Sequence, residues 1–333
     1  MTTAPGQPHP AVGSTPSTPS TLSTSSALTS GHLAGRLVGR VGYGALQLAE
    51  RGPQSPADTE AAVALLRRAV ELGVNHIDTA EFYGEGVANE LIRAALYPYR
   101  DDLQLVSKVG AERDGQRGLV AAQQPAQLRA GVEANLRRLG VERLAVVNLR
   151  RLDIGPGIEA TGDQRVDLDS QLAEMVALRE EGKIGGIGLS SVSLTQLRQA
   201  LPAGIVCVQN LYNLLDRSDE PLVDECREHD VAWVPFFPLG SAFAARPKVT
   251  GHPAVMAAAA ALGVTPAQVG LAWLLAHDPG ILLIPGTADA AHLEQNVAAA
   301  DLTLDRDTMS TLDALAEPRA GVAASPGEHV IGG

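Results

Sequence analysis

Two patterns alternate along this chain from about residue 40 onward, and the alternation limits the fold more than any other feature. Short runs rich in Val, Ile and Leu read as strands: "VGYGAL", "VNHID", "LQLVSKV", "LAVVNL", "IGGIGLS", "GIVCVQN", "VAWVPFF" and "GILLIP". Helical stretches separate them. "PADTEAAVALLRRAVELG" opens with Pro56 and Asp58 and closes at Gly73, the usual start and stop signals. In "LRAGVEANLRRLG", Leu128, Val132, Leu136 and Leu139 recur at three- and four-residue spacing, which is one face of a helix. Strands that alternate with helices imply a parallel sheet joined by right-handed crossovers. Eight such units in about 290 residues predict an α/β fold of the (β/α)8 TIM-barrel type, with its site at the C-terminal ends of the strands. A doubly wound open sheet is the alternative. Against it, "GYGALQ" lacks the third glycine of a dinucleotide-binding G-x-G-x-x-G turn.

Composition narrows the function classes. Apolar residues make up 45% of the chain and aromatics only 3%, so the core is built from Ala, Val, Leu and Ile. The formal net charge of -12 opposes nucleic-acid binding, which depends on neutralising phosphates. Cys207 and Cys226, the only cysteines, form no disulfide framework and no metal spacing. No apolar run approaches the ~20 residues that span a bilayer, and the N-terminus has no secretory pattern. A cytoplasmic location with no membrane partner is the expectation. Residues 1–30 are rich in Ser, Thr and Pro and predict a disordered tail. The barrel is expected over 31–318, with a second tail at 319–333.

Placed on such a barrel, the unusual polar residues gather at one mouth. Asp78 ends the second strand and Tyr83 follows in its loop. Lys108 ends the third strand, and Arg150 and Arg151 follow the fourth. Ser190 and Ser191 end the fifth, Gln209 and Asn210 the sixth, Phe236 and Phe237 the seventh. Taken singly, Asp78 reads as a turn residue bonded to backbone amides. Together, Asp, Lys and Tyr have a chemical logic. A phenol with a pKa near ~10 is a poor proton donor at neutral pH. A neighbouring ammonium favours the phenolate, and a carboxylate offsets the burial of that ammonium. The product is a general acid for reducing a carbonyl, or a base for oxidising an alcohol. Hydride must come from a cofactor, because side chains cannot supply it. His76 shares a strand face with Asp78, but too few His and Cys residues converge on it for a metal site.

These stretches resemble the aldo-keto reductase family over roughly residues 35 to 318. "HIDTAEFYGEGVANE" resembles its Asp-Thr-Ala-x-x-Tyr-Gly segment, "LVSKVG" its Lys strand and "GKIGGIGLSS" its fifth strand. "VQNLYNLLDR" resembles the sixth strand and its loop, "FFPLG" the seventh, and "IPGTADAAHLEQN" the cofactor-phosphate segment. The resemblance implies a (β/α)8 barrel that binds NADPH (or NADP+) in extended form and acts on small carbonyl substrates. It makes Tyr83 the acid, with Lys108 and Asp78 tuning it. It assigns Ser190, Ser191 and Gln209 to the nicotinamide carboxamide and Phe236 to stacking on the ring. Gly44, Ala45, Leu239 and Gly240 line the cofactor. Pro285, Gly286, Thr287, His292, Gln295 and Asn296 surround its phosphates, at a helix expected to begin near Ala288.

Several positions depart from the family's pattern, Phe236, where Tyr is frequent, among them. The family's usual catalytic His is replaced by Arg150, with Asn148 two residues earlier; this "VVNLR" pattern resembles pyridoxal reductase-like bacterial members. Arg cannot switch protonation at neutral pH, but it can donate hydrogen bonds to a developing oxyanion. The family's Ser after "IPGT" is Ala288, and an Arg often found nearby is His292. Ser191 stands where Asn is common. Arg150, Arg151 and Arg246 either favour a polar or anionic substrate or stand as solvated rim charges. A reading from another class is a cofactor-binding barrel with residual catalysis that acts as a binding or sensor protein. Cofactor binding without turnover separates the two.

Overall fold

The computed structural model describes residues 1–2, 30–50, 55–115, 118–153, 158–240 and 248–315. The two expected tails therefore lie almost wholly outside the described residues, as does Arg246. The chain first forms an antiparallel hairpin of β1 (Ser30–Leu33) and β2 (Arg36–Gly39). The barrel follows with β3 (Tyr43–Gly44), β4 (His76–Asp78) and β5 (Gln104–Val109). A second hairpin of β6 (Ala111–Asp114) and β7 (Gly118–Ala121) extends from the end of β5. The remaining barrel strands are β8 (Leu144–Arg150), β9 (Ile184–Ser190), β10 (Ile205–Gln209) and β11 (Ala232–Trp233).

The seven barrel strands pair in parallel in the order β11-β10-β9-β8-β5-β4-β3. Residues 281–283 close the ring. Ile281 bridges in parallel to Trp233, and Leu283 to Val41. Leu282 N donates to Trp233 O at 2.9 Å, and Leu283 N to Arg40 O at 2.8 Å. Closure leaves the barrel sheet without a free edge among the described residues. The eight expected units are therefore present, but the seventh and eighth strands are much shorter than "VAWVPFF" and "GILLIP" suggest.

Helices pack outside this ring as their sequences dictate. Helix Pro56–Glu71 is capped by Ser55, whose hydroxyl accepts from Asp58 N, and its first-turn proline has no N–H to lose. Helix Pro125–Leu139 buries Leu128, Val132, Leu136 and Leu139, the row seen in the sequence. Inside the ring, Val106, Val146, Cys207, Val234 and Leu282 pack with Leu33 and Val38 from the first hairpin. That hairpin plugs the N-terminal end: Gly39 N binds Asn75 Oδ1, just before β4 begins, at 2.8 Å. The plug leaves the opposite end as the only open mouth among the described residues.

Candidate active site

Strand register fixes which side chains share the mouth. Lys108 pairs with Asn148, and Asn148 with Gly188; one step outward Arg150 pairs with Ser190, and Ser190 with Gln209. Side chains alternate along a strand, so Asn148 and Arg150 project to the same side. Gly188 is needed at its level, since a Cβ there would lie 2.0 Å from Asn148 Oδ1.

Asp78 and Lys108 form a buried ion pair, with side chains 4% and 9% exposed. Lys108 Nζ also lies 3.3 Å from Thr79 O. The second oxygen of Asp78 accepts from Gln209 Nε2 at 2.8 Å, so both carboxylate oxygens are engaged. Burial alone would push the Lys108 ammonium toward neutrality. The Asp78 charge, aided by Tyr83, outweighs it and the pKa is raised. Lys108 Nζ sits 5.0 Å from the Tyr83 ring centroid. Phe82 meets the Tyr83 ring edge-on at 5.3 Å.

The glycines beside Tyr83 now have a reason. Gly84, Glu85 and Gly86 all have positive φ, at 61°, 56° and 92°, which turns the chain sharply into helix Val87–Leu96. A Cβ on Gly86 would fall 2.3 Å from Arg138 Nε. The structure thus brings Asp78, Lys108 and Tyr83 together, with Gln209 as their fourth neighbour.

Arg150 is pinned through its backbone. Gln123 Nε2 donates to Arg150 O at 2.8 Å, and Gly110 passes so close that a Cβ there would lie 2.3 Å from the same oxygen. Its guanidinium carbon lies 6.0 Å from the Phe82 ring centroid. Burial lowers its pKa, while Tyr83 acts in the opposite direction. Among the described residues no carboxylate pairs with it. Arg151 does not share the mouth, contrary to expectation. Its guanidinium turns away to Asp153, Val166 O and Gln171. Asn210 is likewise engaged elsewhere, by Val192 and Asp219.

The remaining expected residues ring the same opening. Ser190 and Ser191 are buried, and Ser191, with φ 56°, donates its N–H to Gln209 O at 3.0 Å. Phe236 and Phe237 pack edge-on at 5.4 Å, and Phe236 N binds Asn210 O. Leu239 and Gly240 follow, half-buried, Gly240 N donating to Phe237 O at 3.0 Å. Across the mouth, Gly44 and Gly286 touch: a Cβ on Gly286 would lie 2.7 Å from Gly44 O. Ala45 and Pro285 are buried beside them, and Tyr43 Oη donates to Thr287 O at 2.6 Å. The following helix runs Ala290–Ala298, later than Ala288, because Asp289 is its N-cap and accepts from His292 N at 2.9 Å. His292 is exposed, Gln295 half-buried and Asn296 buried.

Several contributors escaped the sequence reading. Asp289 places a carboxylate where a phosphate was expected, although its type is a common cap. A small apolar cluster of Ala80, Phe82, Ala111, Leu152 and Ala160 walls the mouth beside Tyr83. Behind the ion pair, Thr79 Oγ1 donates to Asn89 Oδ1 at 2.8 Å. Asn135 Oδ1 then accepts from both Asn89 Nδ2, at 2.9 Å, and Ser107 Oγ, at 2.6 Å. His76 is fully buried below Asp78, and among the described residues no three His, Cys, Asp or Glu side chains group to hold a metal. No single helix among them is long and apolar enough to cross a membrane.

Comparisons with known proteins agree with this geometry. The model of the aldo/keto reductase family matches residues 40–317. The chain is 45% identical over 285 residues to pyridoxine 4-dehydrogenase of Escherichia coli K12, covering 85% of this chain and 96% of that one. It is 35% identical over 281 residues to an uncharacterized oxidoreductase of Schizosaccharomyces pombe, covering 83% and 86%. A crystal structure of an aldo/keto reductase from Klebsiella pneumoniae in complex with NADP and acetate superposes with a TM-score of 0.73 at 28% identity, covering 88% of this chain and 98% of that one. The chain therefore belongs to the aldo/keto reductase family and is an NAD(P)H-dependent oxidoreductase.

Proposed function

We propose that this protein uses NADPH to reduce the aldehyde of a small polar carbonyl compound of the pyridoxal type. The observation that carries the reading is the buried Asp78–Lys108 pair set against the ring of Tyr83. A lysine held charged at that depth stands beside the place where negative charge forms as the phenol gives up its proton. Tyr83 Oη donates that proton to the carbonyl oxygen, and Lys108 stabilises the phenolate left behind. Asp78 keeps the lysine charged and oriented. The Ala80, Phe82 and Leu152 wall keeps water from the reacting carbon.

The chain's own residues fit a nicotinamide cofactor. Gln209 Oε1 is buried in the mouth without a hydrogen-bond partner. Such an oxygen is costly unless something donates to it, and a carboxamide N–H does so. The bare backbones of Gly44 and Gly286 let the first barrel strand and the 284–286 segment pack directly on each other at the rim. Gln209, Ser190 and Ser191 would hold the carboxamide, Phe236 would stack on the ring, and Thr287, Gln295 and Asn296 would meet the phosphates. When bound, NADPH supplies the hydride that reduces the carbonyl carbon, and it leaves as NADP+.

The pyridoxal-type substrate rests on the similarity to pyridoxine 4-dehydrogenase and on the Arg150 guanidinium beside the Phe82 ring. The test is a fluorescence titration with NADPH, followed by its absorbance decay with pyridoxal and a panel of other aldehydes. Turnover with pyridoxal among the best substrates is expected. Tight NADPH binding with no turnover across the panel would instead favour a binding or sensor protein.

A further inference from the structure

Asp78 and Lys108 cancel each other's charge, while Arg150 beside Phe82 has no carboxylate partner among the described residues. Arg150 is half-buried, and a guanidinium so placed without a carboxylate suits an anion brought by a ligand. Neutral dihydronicotinamide does not provide one beside Tyr83. The substrate must.

The shape of the cation narrows the choice further. Guanidinium presents its N–H groups as a planar fork that suits two oxygens side by side. One of the two is the carbonyl oxygen that Tyr83 protonates. The second then sits on the carbon next to the one bearing the carbonyl. Arg150 can present the fork steadily, because its backbone is locked by Gln123 and by the close passage of Gly110. The Phe82 ring, 6.0 Å from the guanidinium carbon, gives an aromatic substrate a surface beside the fork.

We propose that Arg150 selects aromatic aldehydes carrying an ionised hydroxyl ortho to the carbonyl, and holds the carbonyl oxygen and that oxyanion together in one fork. This rests on the reading of Tyr83 as proton donor, and it adds a reason for arginine at position 150. A lysine would meet one oxygen as a point charge and would not reproduce the pairing.

Two aldehydes that differ only at the ortho position isolate the effect: 3-hydroxypyridine-4-carbaldehyde and pyridine-4-carbaldehyde. Their kcat/KM ratio is measured in the wild type, Arg150→Lys and Arg150→Met, so that intrinsic reactivity cancels between proteins. Circular dichroism and NADPH affinity show that each variant is folded. Arg150→Met is expected to lower the hydroxy-to-unsubstituted ratio by about ten- to a hundredfold, mostly through KM, as for hydrogen bonds to a charged group. Arg150→Lys should recover only part of it. In the wild type the ratio should fall as pH drops through the ionisation of the substrate hydroxyl, and Arg150→Met should lose that dependence. Equal ratios in all three proteins, with the unsubstituted aldehyde still reduced, would overturn the inference and leave the role of Tyr83 standing. If no aldehyde turns over, the reading of Tyr83 fails, and binding decides the inference alone. Difference spectra of the hydroxy aldehyde with the NADP+ complex should then show affinity lost in Arg150→Met, and equal affinity in both proteins would overturn it.

Discussion

Gln209 reaches across the barrel to donate to Asp78 Oδ2 at 2.8 Å, while its own side-chain carbonyl is buried without a partner. An ionised carboxylate only accepts, so the amide must turn its NH2 toward Asp78 and its oxygen toward the mouth. Gln209→Leu removes both functions. The stranded Asp78 oxygen should cost about 1–3 kcal/mol of stability in urea unfolding. NADPH affinity should weaken by roughly two- to tenfold for the lost acceptor. Unchanged affinity would place the carboxamide elsewhere.

Stability should depend on pH through His76. Its ring is fully buried, neither nitrogen has a hydrogen-bond partner, and it packs where Gly42 leaves space for it. Burial drives its pKa from 6.5 down to about 4; the Leu283 backbone, too poorly aligned for a hydrogen bond, opposes the shift without reversing it. The unfolded chain therefore takes up a proton that the folded one refuses. Stability from this group is intact above pH 6.5 and falls as pH drops toward 4, by about 3 kcal/mol at most. Urea unfolding at several pH values should show that slope reduced in His76→Leu. Parallel curves for the two proteins would mean that His76 is protonated when folded.

If the 2′-phosphate of NADPH lies at the start of helix Ala290–Ala298, as proposed, Asp289 limits how well it is held. Its carboxylate caps helix Ala290–Ala298 and puts negative charge at the end that favours anions. Asn is an equally good cap without the charge. Asp289→Asn should tighten NADPH by about two- to fivefold at low salt and leave NADH unmoved. His292→Ala should weaken NADPH more than NADH. If both variants change the two cofactors equally, the phosphate lies away from this helix end.

How much of this was legible follows from what each residue depends on. Asp78, Tyr83 and Lys108 were readable because strand ends in a parallel barrel converge, whatever the packing details. Arg150 and Arg151 looked equivalent in sequence, yet they part where the strand ends: one follows the inward period of Asn148, the other is captured by Asp153 and Gln171. The Gln209–Asp78 bond spans 131 positions, and nothing local announces it. The plug formed by Leu33 and Val38 was hidden for the same reason, since its partners Val106, Val146 and Leu282 come from three distant strands. The late start of the last cofactor-side helix was legible in principle, because Asp289 has the type of an N-cap. The expected phosphate contacts drew the boundary too early.

Tyr83→Phe tests the central claim most directly. It deletes the phenol oxygen and keeps the ring that packs on Phe82 and beneath which Lys108 sits. NADPH affinity by fluorescence titration should stay within about threefold of wild type, since the hydroxyl is assigned to the substrate. Single-turnover reduction of pyridoxal should slow by about a hundred- to ten-thousandfold, the usual worth of a positioned general acid. Reduction at close to the wild-type rate by Tyr83→Phe, with the cofactor bound normally, would contradict the account.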